Sequence, residues 1–235
     1  MLFSSPEIVL TGTASILQPR REAENFVLAR EVATSFAFAA ISAGSAWALA
    51  RVARTPRPPN DGRGRPSDRR ARGVRATLLC LPGLLGAMLL ALFILTAFQL
   101  PPLRAAYDTP LPLLLALTLL LLPLAVPLRW LLDAARRSPA LHLARLAGAR
   151  PVIWHLDTRR RWLAAFLLFC WAYFDVTAAA LLAPVGLTPV FARLHNLAHY
   201  GQTAVLSAML LAASAVPVLA LPLSGLAARF FAGRK

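Results

Sequence analysis

The sequence predicts an all-α membrane protein with about five transmembrane helices, its N-terminus outside and its C-terminus inside. Three observations carry this expectation. Five runs, 32–50, 76–98, 109–128, 162–184 and 203–228, are uncharged or nearly so. Each is close to the length that crosses about 30 Å of hydrocarbon at 1.5 Å per residue, and backbone amides in lipid must bond internally, so each run is expected to be helical. Hydrophobic residues make up 58% of the chain and the mean hydropathy is +0.61, well above the mix that a soluble domain can hide from water. Finally, 25 Lys and Arg stand against 10 Asp and Glu, a net charge of +15, and the basic residues gather on alternate connections.

That alternation sets the orientation, because arginine-rich connections stay cytoplasmic. The first link, 51–75, holds Arg51, Arg54, Arg57, Arg63, Arg65, Arg69, Arg70, Arg72 and Arg75. The third, 129–161, holds Arg129, Arg136, Arg137, Arg145, Arg150, Arg159, Arg160 and Arg161, and the tail 229–235 adds Arg229, Arg234 and Lys235. The second and fourth links carry one arginine each, Arg104 and Arg193. Residues 1–31 then form an external segment, within which 19–31 reads as a short amphipathic helix on the outer surface. It lacks a basic stretch leading into an apolar core, so the first run is expected to do the targeting.

The first link is rich in Pro, Gly and Arg without apolar period, and is expected to be a solvated, flexible loop. It has no aromatic side chains for stacking on bases, so contact with anionic lipid fits it better than nucleic acid. Cys80 and Cys170 fall inside apolar runs and read as buried, unpaired thiols. Prolines within the runs mark kinks or helix ends. At the start of the third run Asp108 is placed to cap the helix and meet its dipole.

The third link is too patterned to be a simple turn. Ser138 and Pro139 suit the N-cap and first helical position; Leu141, Leu143, Ala144 and Leu146 alternate with His142 and Arg145; Gly148 suits a left-handed C-terminal position, and Pro151 follows. A two-turn helix of this kind is marginal alone and needs something to pack against. His142 either bonds a partner or is plain surface.

Two further groups are candidates for chemistry. Asp175 is the only charge in the fourth run, and a carboxylate at membrane depth suggests function by default; with Trp171, Tyr173 and Thr177 it either lines a translocation pathway or satisfies a structural bond. His195 and His199, four apart, share a helix face and offer either two metal or haem ligands, an incomplete set, or loop packing. No phosphate-binding glycine loop is present, so nucleotide binding is not expected.

On these segments the chain resembles the permeases of binding-protein-dependent ABC importers, the ferric-iron type above all. Residues 81–93 look like the second core helix of that family, 107–123 like the third, and 171–201 like the fourth with its external loop. The family's cytoplasmic Glu-Ala-Ala…Gly loop aligns with His142-Leu143-Ala144, Arg145-Leu146-Ala147 and Gly148; only Ala144 and Gly148 keep the pattern, His142 replaces the Glu, and Thr158 with the run 159–161 replaces a downstream Ile-x-Leu-Pro. The resemblance covers roughly 32–228 and implies the type I importer permease fold in the bacterial inner membrane. It implies a transport subunit with no catalytic residue and no cofactor. A separate ATPase would engage His142, Leu143, Ala144, Arg145, Leu146 and Gly148. An external solute-binding protein would deliver ferric iron or another small solute, and a second permease subunit or a second copy would complete the pore. Two rivals stand beside it: a non-transporting membrane scaffold that kept the fold and lost the ATPase, favoured by His142 and Thr158, and a redox or haem subunit resting on His195 and His199.

Overall fold

The computed structural model describes residues 7–52, 66–136, 138–184, 186–200 and 203–233, with side chains over 27–52, 73–136, 138–149, 151–184, 186–200 and 206–222. Residues 1–6 and 53–65, Arg137, and the last two residues of the tail lie outside that set. So does most of the segment expected to be a flexible loop. Among the described residues all regular structure is helical: α1 (Glu7–Val52), α2 (Pro66–Leu84), α3 (Ala87–Phe98), α4 (Leu111–Ala135), α5 (Pro139–Leu146), α6 (Arg150–Ile153), α7 (Arg159–Tyr173), α8 (Thr177–Leu182), α9 (Val190–His199) and α10 (Thr203–Gly233).

Two helices, Val27–Val52 within α1 and Leu111–Ala135, are long and apolar enough to cross a membrane, and a bent pair makes up to three. The five expected runs thus do not become five straight spans. The first and third do. The second divides into α2 and α3, which meet at 91°, and the fourth divides into α7 and α8. The fifth lies in α10, apolar over Leu206–Pro222. Two further expectations change. The external segment is continuous with the first span, since α1 begins at Glu7. The end of the first link is helical from Pro66, where proline at the first helical position has its φ set in advance and an Arg- and Ala-rich sequence carries the helix forward.

The core is organised where α1 packs on α4, and α4 enters both buried clusters. On α1 the buried residues Ser35, Ala39, Ser42, Ala43, Ala46 and Ala50 recur every three or four positions and so form one stripe. Small side chains let neighbouring helices come close, the usual packing device where lipid removes the hydrophobic drive between helices. Leu121, Leu122, Ala125 and Val126 of α4 and Leu168, Phe169 and Ala172 of α7 fill against it. A second cluster joins the pieces of the two broken runs: Leu90, Ile94 and Phe98 of α3 pack with Ala178, Ala179 and Leu182 of α8 over Leu113 and Leu117 of α4. Leu84, Leu89, Phe93, Leu131, Leu211 and Val218 face outward, an apolar exterior suited to lipid.

The break in the second run follows from Pro82 and Gly86. Pro82 sits in the last turn of α2, and Gly86 takes φ +85°, open to glycine without steric cost. One turn earlier, α2 crosses α4 at very short range. A methyl on Gly83 would lie 2.4 Å from the Leu119 carbonyl oxygen and 2.7 Å from the Pro123 ring. Pro123 has no N–H to give that carbonyl, and only a residue without Cβ fits above it. At the head of α4 the capping partner is Thr109 rather than Asp108: its hydroxyl donates to Ala106 O (2.6 Å) and accepts from the Leu111 N–H (3.3 Å), while Asp108 is exposed. The hydroxyl two residues ahead reaches the freed N–H in a compact turn.

Gly83→Ala is expected to destabilise the protein by about 1–3 kcal/mol, the range for overpacking against atoms that cannot yield. Gly73→Ala, in open space on the same helix, should instead be neutral or stabilising. Thermal unfolding in detergent checks the pair; equal behaviour of the two variants would remove the close crossing.

Candidate functional site

The third link folds as its sequence suggests, and its helix carries two different faces. α5 starts at Pro139 after Ser138 in extended conformation (ψ 130°). The Ser138 carbonyl accepts from the N–H groups of Leu141 (3.1 Å) and His142 (3.3 Å); its side chain makes no capping bond. At the other end Gly148 takes φ +63°, Ala149 N–H bonds Ala144 O (2.9 Å) and Gly148 N–H bonds Arg145 O (3.2 Å), the paired bonds of a Schellman termination. Leu141 and Ala144 turn inward and are buried. Leu143 and Leu146 turn outward, 64% and 73% exposed, next to exposed His142. Pro151 does not merely stop the chain. It lies in the first turn of α6, where its missing N–H costs nothing.

Asp157, which the sequence reading passed over, holds this link to the bundle. Its carboxylate takes three contacts from Arg136 (3.1, 3.2 and 3.2 Å) and one from Arg145 (3.5 Å), and pairs with Arg161 at 2.7 Å. The end of α4, the side of α5 and the first turn of α7 therefore converge on one group, in a π-helical turn, Trp154–Thr158. The available signal was compositional: Asp133 and Asp157 are the only acids between 129 and 161. A little above, buried Arg129 donates from Nη1 to Trp47 O (2.7 Å) and lies 5.0 Å from the centre of the Trp47 ring.

Toward the opposite end of the apolar span Val27–Val52 of α1, buried Glu31 pairs with Arg193 of α9, and the Val190 N–H donates to the buried Ser35 hydroxyl (2.7 Å). α9 is a helix within what the sequence presented as an external loop.

The four pathway candidates do not converge. Asp175 lies in the gap between α7 and α8 and accepts from the Ala178 N–H at 2.9 Å, supplying an acceptor where the broken helix frees its first donors. Tyr173 is buried in an aromatic cluster with Phe169, Phe174 and Phe191 and donates its hydroxyl hydrogen to Ala213 O (3.1 Å), joining α7 to α10. Trp171, 54% exposed, points away from the bundle, and Thr177 is also exposed. His195 and His199 do share a face of α9: their Nε2 atoms are 3.1 Å apart on exposed rings. Among the described residues no third His, Cys, Asp or Glu joins them.

No protein-family model matches this sequence, and neither curated proteins nor solved structures give a significant match.

Two outcomes follow from these contacts. Asp157→Ala should cost about 1.5–3 kcal/mol, the range for hydrogen bonds to charged groups, and should open Arg145 to limited proteolysis; an unchanged cleavage pattern would mean that the link is held by Leu141 and Ala144 alone. Asp175→Ala should cost about 0.5–2 kcal/mol, as for loss of a helix cap, whereas Asp175→Asn keeps an acceptor oxygen and should unfold close to the parent. Equal losses in a detergent melt would disprove the capping role.

Proposed function

We propose that this chain is a multi-pass inner-membrane permease subunit of an ABC-type importer, with its N-terminus outside and its Arg-rich end in the cytoplasm. It works beside a separate ATPase, a solute-binding protein and a second permease subunit or second copy. The observation that carries the reading is α5. A short, sharply capped helix between two long elements at the Arg-rich end buries Leu141 and Ala144 inward and presents Leu143 and Leu146 outward with His142. Exposed leucines there lie beyond the apolar spans in sequence, among charged side chains, a setting that supports a protein groove as their partner. The meeting of two interrupted runs through α3 and α8 adds support, since interrupted helices are the usual material of transport pathways. Ferric iron or another small solute is the cargo that the resemblance suggests.

The departures at His142 and Thr158 favour a second reading, a scaffold that kept the fold without transport. Replacing Leu143 and Leu146 together by Asp is expected to abolish co-purification with the ATPase while the protein still accumulates in the membrane. An unchanged complex would reject α5 as the coupling element; no ATPase complex and no uptake with the parent protein would favour the scaffold.

A further inference from the structure

We propose that the cleft between the Arg-rich ends of α1, α4 and α7 binds the phosphodiester headgroup of an anionic phospholipid. The cleft has a volume of about 300 Å³, and Arg51, Arg129, Arg136 and Arg161 line it with Trp47 and Trp162; among the described residues Asp133 is the one acid on its wall. With Asp157 behind Arg136 and Arg161, four guanidiniums face two carboxylates, so the cleft is cationic. Three of the four are already held in place: Arg129 on the carbonyl and ring of Trp47, Arg136 and Arg161 on Asp157. A ligand that meets fixed cations loses less to ordering side chains, and the two free oxygens of a phosphodiester suit the planar guanidinium fork. Among the described residues, Arg51, at the exposed end of α1, has no fixing contact of this kind.

A soluble phosphate would offer the same charge, but the surroundings favour a lipid. Leu49 and Val52 stand within two residues of Arg51, and Trp130 and Leu131 follow Arg129; all four are exposed, an apolar surface within one helical turn of the cleft's arginines for acyl chains to meet. Trp47 and Trp162 are of the residue type that settles at the boundary of headgroup and hydrocarbon, and basic pockets between spans are known ligands of such headgroups. The inference requires only that α1 and α4 cross a bilayer and stands whether or not the chain couples to an ATPase.

The full chain, purified in detergent, would be titrated with phosphatidylglycerol and with phosphatidylcholine and followed by native mass spectrometry. Phosphatidylglycerol should bind preferentially. Arg51→Gln should weaken it about five-fold, roughly the worth of one basic side chain near an anionic surface, while Arg104→Gln, the same charge change outside the cleft, should leave it unaltered. Equal weakening by both variants would reduce the effect to diffuse charge and overturn the site. Phosphatidylcholine binding as well as phosphatidylglycerol would do the same, from the parent protein alone, should Arg51→Gln fail to accumulate. Displacement of the bound lipid by inorganic phosphate would assign the cleft to a soluble anion instead.

Discussion

A backbone or side-chain polar group placed in hydrocarbon has no water to bond, and this constraint shapes each interruption of the bundle. Where the fourth run breaks, Asp175 accepts from the N–H that the new helix exposes. Where Pro123 deprives the Leu119 carbonyl of its donor, Gly83 brings α2 directly over it and shields it from lipid. Where α9 begins, the Val190 N–H finds the hydroxyl of Ser35. A charged or small residue in an apolar run is thus first a solution to a local bonding problem. For Asp175 that account is sufficient without a pathway.

The same constraint shapes how α1 packs in the bundle. Its polar ties sit at two levels, Glu31 and Ser35 toward one end of the apolar span Val27–Val52 and the Trp47 carbonyl toward the other. Glu31 and Trp47 are separated by about 24 Å at 1.5 Å per residue, close to the thickness of the hydrocarbon core. Between those levels the buried face is Ala and Ser apart from Phe38. Small residues allow close packing in the apolar zone, and charges work at its edges, where desolvation costs less.

Local signals were legible in the sequence and long-range ones were not. The limits of α5 could be read because Ser138-Pro139 and Gly148 act through their own backbone angles. The histidine pair could be read because four residues is one helical turn. The apolar runs and their prolines were visible, but which proline would break a run was not: Pro82 and Gly86 lie in an unbroken apolar string, and whether such residues kink, end or merely decorate a helix depends on what crosses them. Asp157 was invisible for a related reason. Its partners lie 21 residues before it (Arg136), 12 before it (Arg145) and one turn after it (Arg161), so nothing local marks it out among the arginines. Asp108 was misjudged because a hydroxyl two residues ahead of the helix competes with a carboxylate three ahead, and turn geometry favoured Thr109.

In the transporter reading, the arrangement around Asp157 has a mechanical consequence. A force on the outward face of α5 reaches the bundle by two routes, the packing of Leu141 and Ala144 and the Arg145–Asp157 contact. The second route leads through one carboxylate to the end of α4 by Arg136 and to the first turn of α7 by Arg161. α5 itself is short and closed at its C-terminus by paired backbone bonds, so it moves as a unit rather than bending. The π turn that carries Asp157 stands between α6 and α7, and such turns recur at functional sites. In the scaffold reading the same contacts only stiffen the link, and exposed Leu143 and Leu146 then have no groove to fill. Leucines that are costly to leave in water weigh against that alternative more than the missing glutamate weighs for it, because a surface that nothing covers gains nothing from apolar side chains.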